Sequence, residues 1–205
     1  MFARNRAIVC AAGCLLAVSA AEASIINASR VEHFAQGTQS NGAPVVAERS
    51  DPAQALGAPQ NADYVNFVSI GFGGTLVLGF DQAFMEYVQI VETTYNNPAL
   101  HPEACEVFVG VGPSWDTAQY YSLGIRQNTE DDVLMPLGPA NIQSGTTFYN
   151  FLMIQDRCNP DLLPQDADGY DVDGVITVGA PVPAPAGAVV GLIGSLAASA
   201  RRRRR

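Results

Sequence analysis

The sequence predicts an all-β domain, an antiparallel β-sandwich or jelly roll of about eight strands, flanked by an N-terminal signal helix and a C-terminal apolar helix. Two observations predict the body. Between residues 24 and 178 apolar and β-branched residues recur in short runs, several alternating with a period of two. Clusters of Gly, Pro, Asn and Asp separate those runs, and no helical periodicity extends beyond a turn or two. A third observation predicts the flanks: an apolar run with basic residues beside it lies at each end of the chain.

In chain order, residues 31–34 read as a first short strand. Ser50-Asp51-Pro52 reads as a helix start, with Ser50 or Asp51 as cap and Pro52 in the first turn; Gly57 and Pro59 stop it. Residues 64–70 and 75–80 read as strands joined by a hairpin at Gly71-Phe72-Gly73-Gly74. That loop lacks the following Lys-Ser/Thr of a phosphate cradle. Residues 87–93 make a strand and 94–103 a polar loop. Residues 106–111 alternate, and Gly112-Pro113 turns the chain. Residues 118–125 are a strand, 127–145 a long loop, and 148–156 and 170–178 the last two strands.

The ends carry a different signal. Arg4 and Arg6 precede an apolar run over residues 7–20, and Ala21-Glu22-Ala23 forms a small-residue cleavage site. Residues 1–23 thus read as a secretory signal peptide. At the other end a proline-rich spacer is followed by an apolar stretch, residues 186–200, and then by Arg201 to Arg205. The expected division is a signal peptide over 1–23, a β-sandwich domain over 24–179, and a spacer, membrane helix and arginine tail over 180–205. The arginines would stay cytoplasmic and everything before them would lie outside.

This tail resembles the PEP-CTERM sorting signal of Gram-negative bacteria: a short proline motif, an apolar helix and a terminal arginine cluster. The motif here is Pro183-Ala184-Pro185, with alanine where the family usually has glutamate. The resemblance implies an exosortase-type enzyme as partner and a membrane anchor, transient or stable. The body has a resemblance of its own. Ala55-Leu56-Gly57-Ala58-Pro59, the segment Ser69 to Gly74 and the segment Gly169 to Val175 resemble bacterial surface proteins with a galactose-binding-like jelly roll.

With both ends set aside, four arginines face nineteen acidic residues over 24–182, a net charge near −15, and the chain has no lysine. Such a surface repels nucleic acid phosphates and favours divalent cations. Cys105 and Cys158 are the cysteines of the exported body, and an oxidising compartment predicts a disulfide between them.

His33 and His101 are the only histidines, and they support no Ser-His-Asp set. Tyr95, Trp115, Tyr120 and Tyr121 are candidates for stacking on sugar rings. The densest carboxylate cluster is Asp166, Asp168, Asp171 and Asp173. Strand alternation places Asp171 and Asp173 on one face, and two such carboxylates repel unless a cation or hydrogen bonds compensate. These four, with Asp156 at the end of the preceding strand, form the expected calcium site. The sequence thus reads as an exported protein of the envelope, outer surface or extracellular matrix, non-catalytic and with polysaccharide as its partner. The alternatives are a secreted glycan-active enzyme and a purely structural matrix protein.

Overall fold

The computed structural model describes residues 23–60, 66–93, 101–130 and 133–181. Residues 1–22 of the expected signal peptide, the Pro183-Ala184-Pro185 motif, the apolar tail and Tyr95 lie outside the described residues. Among the described residues no helix is long and apolar enough to cross a membrane.

The body is a mostly antiparallel β protein. In chain order its strands are β1 (Ser24–Asn27), β2 (Arg30–Ala35), β3 (Val68–Ser69), β4 (Thr75–Val91), β5 (Ala104–Val111), β6 (Gln119–Gln127), β7 (Met135–Pro136), β8 (Tyr149–Asp156), β9 (Asp171–Val172) and β10 (Gly174–Gly179). Eight of them join in the order β1-β10-β4-β8-β5-β6, with β2 and β7 also on β4, while β3 and β9 pair separately. The 17-residue β4 organises the molecule. Its first half, Thr75 to Gly79, runs between β2 and β8. Its second half pairs with β10 and β7. The registers shift between the halves, and Glu86 adopts a left-handed φ of 73° where its carbonyl accepts from the Leu137 amide. Two expected strands, 75–80 and 87–93, are therefore one bent strand.

Alternation places Leu76, Leu78, Val107, Val109, Leu152 and Ile154 on the inner face, where they join Phe84, Val88, Ile90 and Tyr149 in one buried cluster. Burying a side chain of this size contributes roughly 1.5–3 kcal/mol, so this face pins the register of the whole sheet.

The expected helix start is a 3-10 turn, Pro52–Ala55, capped by the Asp51 carboxylate, which accepts from the Ala53 amide at 3.0 Å. The loop expected over 127–145 contains β7 and a helix, α1 (Gly138–Ser144), ended by Gly145 at φ 70°. Gly71 to Gly74 is not a hairpin, because β3 pairs with β9 rather than β4. Its glycines answer a different need. A Cβ on Gly71 would lie 2.6 Å from the Gly37 main chain, and one on Gly169 would lie 2.7 Å from that of Gly71. Three backbone segments cross there, and the crossing sets β9 beside β3.

Candidate metal centre

Three strand ends meet at one end of the core. Glu92 directly follows β4, Glu103 directly precedes β5, and Asp171 opens β9 opposite Ser69 of β3. The Asp173 amide donates to the Val91 carbonyl, which ties the β9–β10 junction to the end of β4. One ligand oxygen from each of Glu92, Glu103 and Asp171 lies within 4.8 Å of the other two. The three side chains are buried, with residue exposures of 6%, 5% and 3%. Glu103 Oε2 and Asp171 Oδ1 find no hydrogen-bond partner among the described residues. Glu103 and Asp171 also line a cavity of about 210 Å³ with Arg49, Thr93, His101, Pro164, Asp166, Ala167 and Asp168.

Burying carboxylates this close is costly unless protons or a cation neutralise them. Burial, the neighbouring Glu92 charge, a hydrogen bond to Glu92, and the Asp168 and Asp156 charges push the Glu103 carboxyl up to about 10. Burial, then the charges of Glu103 and Asp168, push Asp171 well above the usual carboxylate range; Arg49 and a bond to Ser69 oppose this only in part. Without a cation the Glu103 carboxyl holds its proton at neutral pH, and burial biases Asp171 in the same direction.

Of the carboxylates singled out in the sequence, only Asp171 belongs to this triad. Asp168 is held by Arg49 Nη1, which reaches its two oxygens at 3.1 and 3.0 Å, while the Arg49 guanidinium also lies over the Phe67 ring. Asp156 accepts from the amides of Gly73 at 3.0 Å and Tyr170 at 3.1 Å, anchoring the glycine crossing. Burial raises its carboxyl and these bonds lower it in part. Asp166 is exposed at the cavity wall. Asp173 accepts from the Gln60 amide at 2.8 Å. Alternation would align Asp171 with Asp173 only in one continuous strand. The chain instead changes partner between them, β9 pairing with β3 and β10 with β4.

Glu92 and Glu103 lie in segments that carry no local acidic pattern, so their meeting with Asp171 is a product of topology. Arg126 was equally hidden. It is 1% exposed, stands opposite Cys105 in the β5–β6 register, and its charge acts on the Cys105 thiol.

The expected Cys105–Cys158 bridge is not formed; both are free, buried thiols. β5 and β8 are antiparallel neighbours, but Cys105 stands opposite Asp156, two residues before Cys158. The Cys158 sulfur instead meets the Ala104 main chain, accepting from its amide at 3.3 Å. Burial pushes both thiols up, aided at Cys158 by the Asp156 charge, so both stay protonated.

The aromatic candidates lie elsewhere. Trp115 stacks on His33 with ring centroids 4.4 Å apart and planes 14° apart. The Tyr120 hydroxyl donates to the Trp115 carbonyl at 3.0 Å. Tyr121 packs against the core.

No family model matches the chain, and no curated protein matches it. Among solved structures it is similar to the X-ray structure of GH31 CBM32-2 bound to GalNAc, at 9% identity and a TM-score of 0.41, over 78% of this chain and 99% of that one. That similarity is too low to transfer a site.

Proposed function

We propose that this chain is an exported, non-catalytic surface or matrix module, a β-sandwich of the jelly-roll type whose folded state is completed by calcium in the Glu92–Glu103–Asp171 chamber. The observation that carries the reading is the meeting of three buried carboxyls, with Glu103 Oε2 and Asp171 Oδ1 left unbonded among the described residues. Calcium takes oxygen donors at about 2.3–2.6 Å, so two donors on opposite sides of one ion stand up to about 5 Å apart. The triad's mutual 4.8 Å limit fits that span, and its donors are all hard carboxylate oxygens. The body's net charge near −15 favours a cation further.

The burial of the triad weighs against the glycan-active enzyme. Acid and base carboxyls of a glycosidase flank the scissile bond of a bound sugar. Here the three carboxyls are buried at the end of the core. The signal-peptide pattern of residues 1–23 and the Pro183-Ala184-Pro185 tail support a place in the cell envelope, with an exosortase-type enzyme as processing partner. On this reading its matrix partner is a polysaccharide.

The test is thermal melting of the purified protein in millimolar calcium, in chelator, and in sodium at matched ionic strength. A higher melting temperature in calcium alone supports the reading. Equal stabilisation by sodium would reduce the effect to screening of the acidic surface and remove the site.

A further inference from the structure

The face of the sheet that turns away from the core is unusual. Two cross-strand rows lie on it, spanning β2, β4, β8, β5 and β6. One row is Arg30, Gly79, Phe151, Gly110 and Tyr120; the other is His33, Val77, Met153, Phe108 and Ser122. A solvent face is expected to alternate into polar residues. Here Val77 and Phe151 are buried at 1% and 6% exposure. An upper layer covers them. The Glu32 carboxylate lies over Gly79, and the Tyr120 ring lies over Gly110, where an added Cβ would stand 2.7 Å from it. Trp115 reaches back from the β5–β6 hairpin to stack on His33.

The hairpin is held in place. Ser114 donates to Asp116 at 2.6 Å and bonds Thr117 at 2.7 Å, and Tyr120 ties down the Trp115 carbonyl. His33 backs the indole from the sheet side. The layer therefore presents a fixed, half-buried indole beside a phenol and two carboxylates, Asp116 and Glu32, the latter met on one oxygen by Arg30 Nε at 3.2 Å. Their charges, after burial, push the Tyr120 hydroxyl up to about 12, so it keeps the proton it donates to the Trp115 carbonyl and offers its oxygen as an acceptor.

We infer that this shelf is a saccharide-binding site, in which Trp115 stacks on the apolar face of a neutral sugar ring while Glu32, Asp116 and Tyr120 bond its hydroxyls. Rigid aromatic side chains give large contact area at small entropic cost, and a few placed polar groups fix orientation. The acidic surface and the two carboxylates disfavour uronate or sulfated sugars. The inference rests on the polysaccharide-partner reading above and names where that partner would dock.

Trp115 is the chain's single tryptophan, so its fluorescence reports on this site alone. Purified protein is titrated with neutral oligosaccharides of glucose, galactose and N-acetylglucosamine, and with tri-galacturonate. The expected result is a saturable change in emission with a neutral sugar and none with tri-galacturonate. In affinity electrophoresis on the responding polysaccharide, Trp115→Ala and Glu32→Gln should each weaken binding about tenfold or more. Because Trp115 also packs on His33, melting of each variant is measured, and Glu32→Gln decides if Trp115→Ala melts early. If the protein binds a saccharide but Glu32→Gln and a folded Trp115→Ala bind it equally, this site is overturned and the polysaccharide reading survives. If no saccharide changes the emission or retards the protein, both fall.

Discussion

The chamber at the end of the core and the shelf on the outer sheet face break the same rule in opposite directions. The chamber puts Glu92, Glu103 and Asp171 where alternation calls for apolar residues. The shelf puts Val77 and Phe151 where it calls for polar ones. Each is tolerated through a different compensation. Charge in the chamber has to be cancelled by protons or a cation, because burial alone penalises it by several kcal/mol per ion. Apolar surface on the shelf needs only a cover, to which Tyr120 over Gly110 and Glu32 over Gly79 contribute. Conditions that change charge should therefore act on the chamber and leave the shelf nearly untouched.

The largest effect is expected from the cation. At a hundredfold excess over Kd, a ligand that binds only the folded state adds about 2.7 kcal/mol. For a domain of this size that corresponds to a melting-temperature rise of roughly 5–10 °C, measured by calorimetry. Replacing the chamber acids should remove it. Asp171→Asn with Glu103→Gln is expected to abolish the calcium response while melting in chelator no lower than the parent, because the neutral amides replace carboxyls that burial already drives toward their neutral form. Asp173→Asn, whose carboxylate serves the Gln60 amide, should retain the calcium response.

A second, smaller effect is the pH dependence in chelator. Glu103 and Asp171 hold their protons more tightly folded than unfolded. Their contribution is complete below the ordinary carboxylate range near 4 and is lost as pH rises toward the folded value, about 10 for Glu103. Melting temperature in chelator should fall from pH 5 to pH 9, by at most about 1.4 kcal/mol per pH unit for each proton. Calcium should flatten or reverse that slope. A slope in chelator that rises with pH would contradict the assignment.

The smallest effect belongs to the shelf and the thiols. Trp115→Phe should keep a ring against His33 and change the melting temperature by only a few degrees. Cys105 and Cys158 should resist a thiol reagent in the folded protein and react once it is unfolded, because both are buried and protonated.

Much of the strand order in sequence was legible because alternation and turn residues are local signals. β2, β5, β6 and β8 lie where residues 31–34, 106–111, 118–125 and 148–156 pointed. The bend of β4 was not, since a strand that changes partners midway carries the same residues as two strands. α1 was missed because its seven residues are too few to show a helical period. The site was legible only through Asp171. The acidic run from Asp166 to Asp173 is local, and topology disperses it: Asp168 to Arg49, Asp173 to Gln60 and Asp166 to the surface. Glu92 and Glu103 come from strand ends with no pattern around them, and only the sheet order unites them with Asp171. Gly71 to Gly74 carried a true signal of close approach, but to Gly37 and Gly169 rather than across a hairpin.

The most direct test of the chamber is a crystal grown in calcium, with anomalous data collected at long wavelength. A peak is expected among the oxygens of Glu92, Glu103 and Asp171, with calcium–oxygen distances of about 2.3–2.6 Å. An anomalous map with no peak there, or with the peak at Asp173 or Asp166 instead, would contradict it.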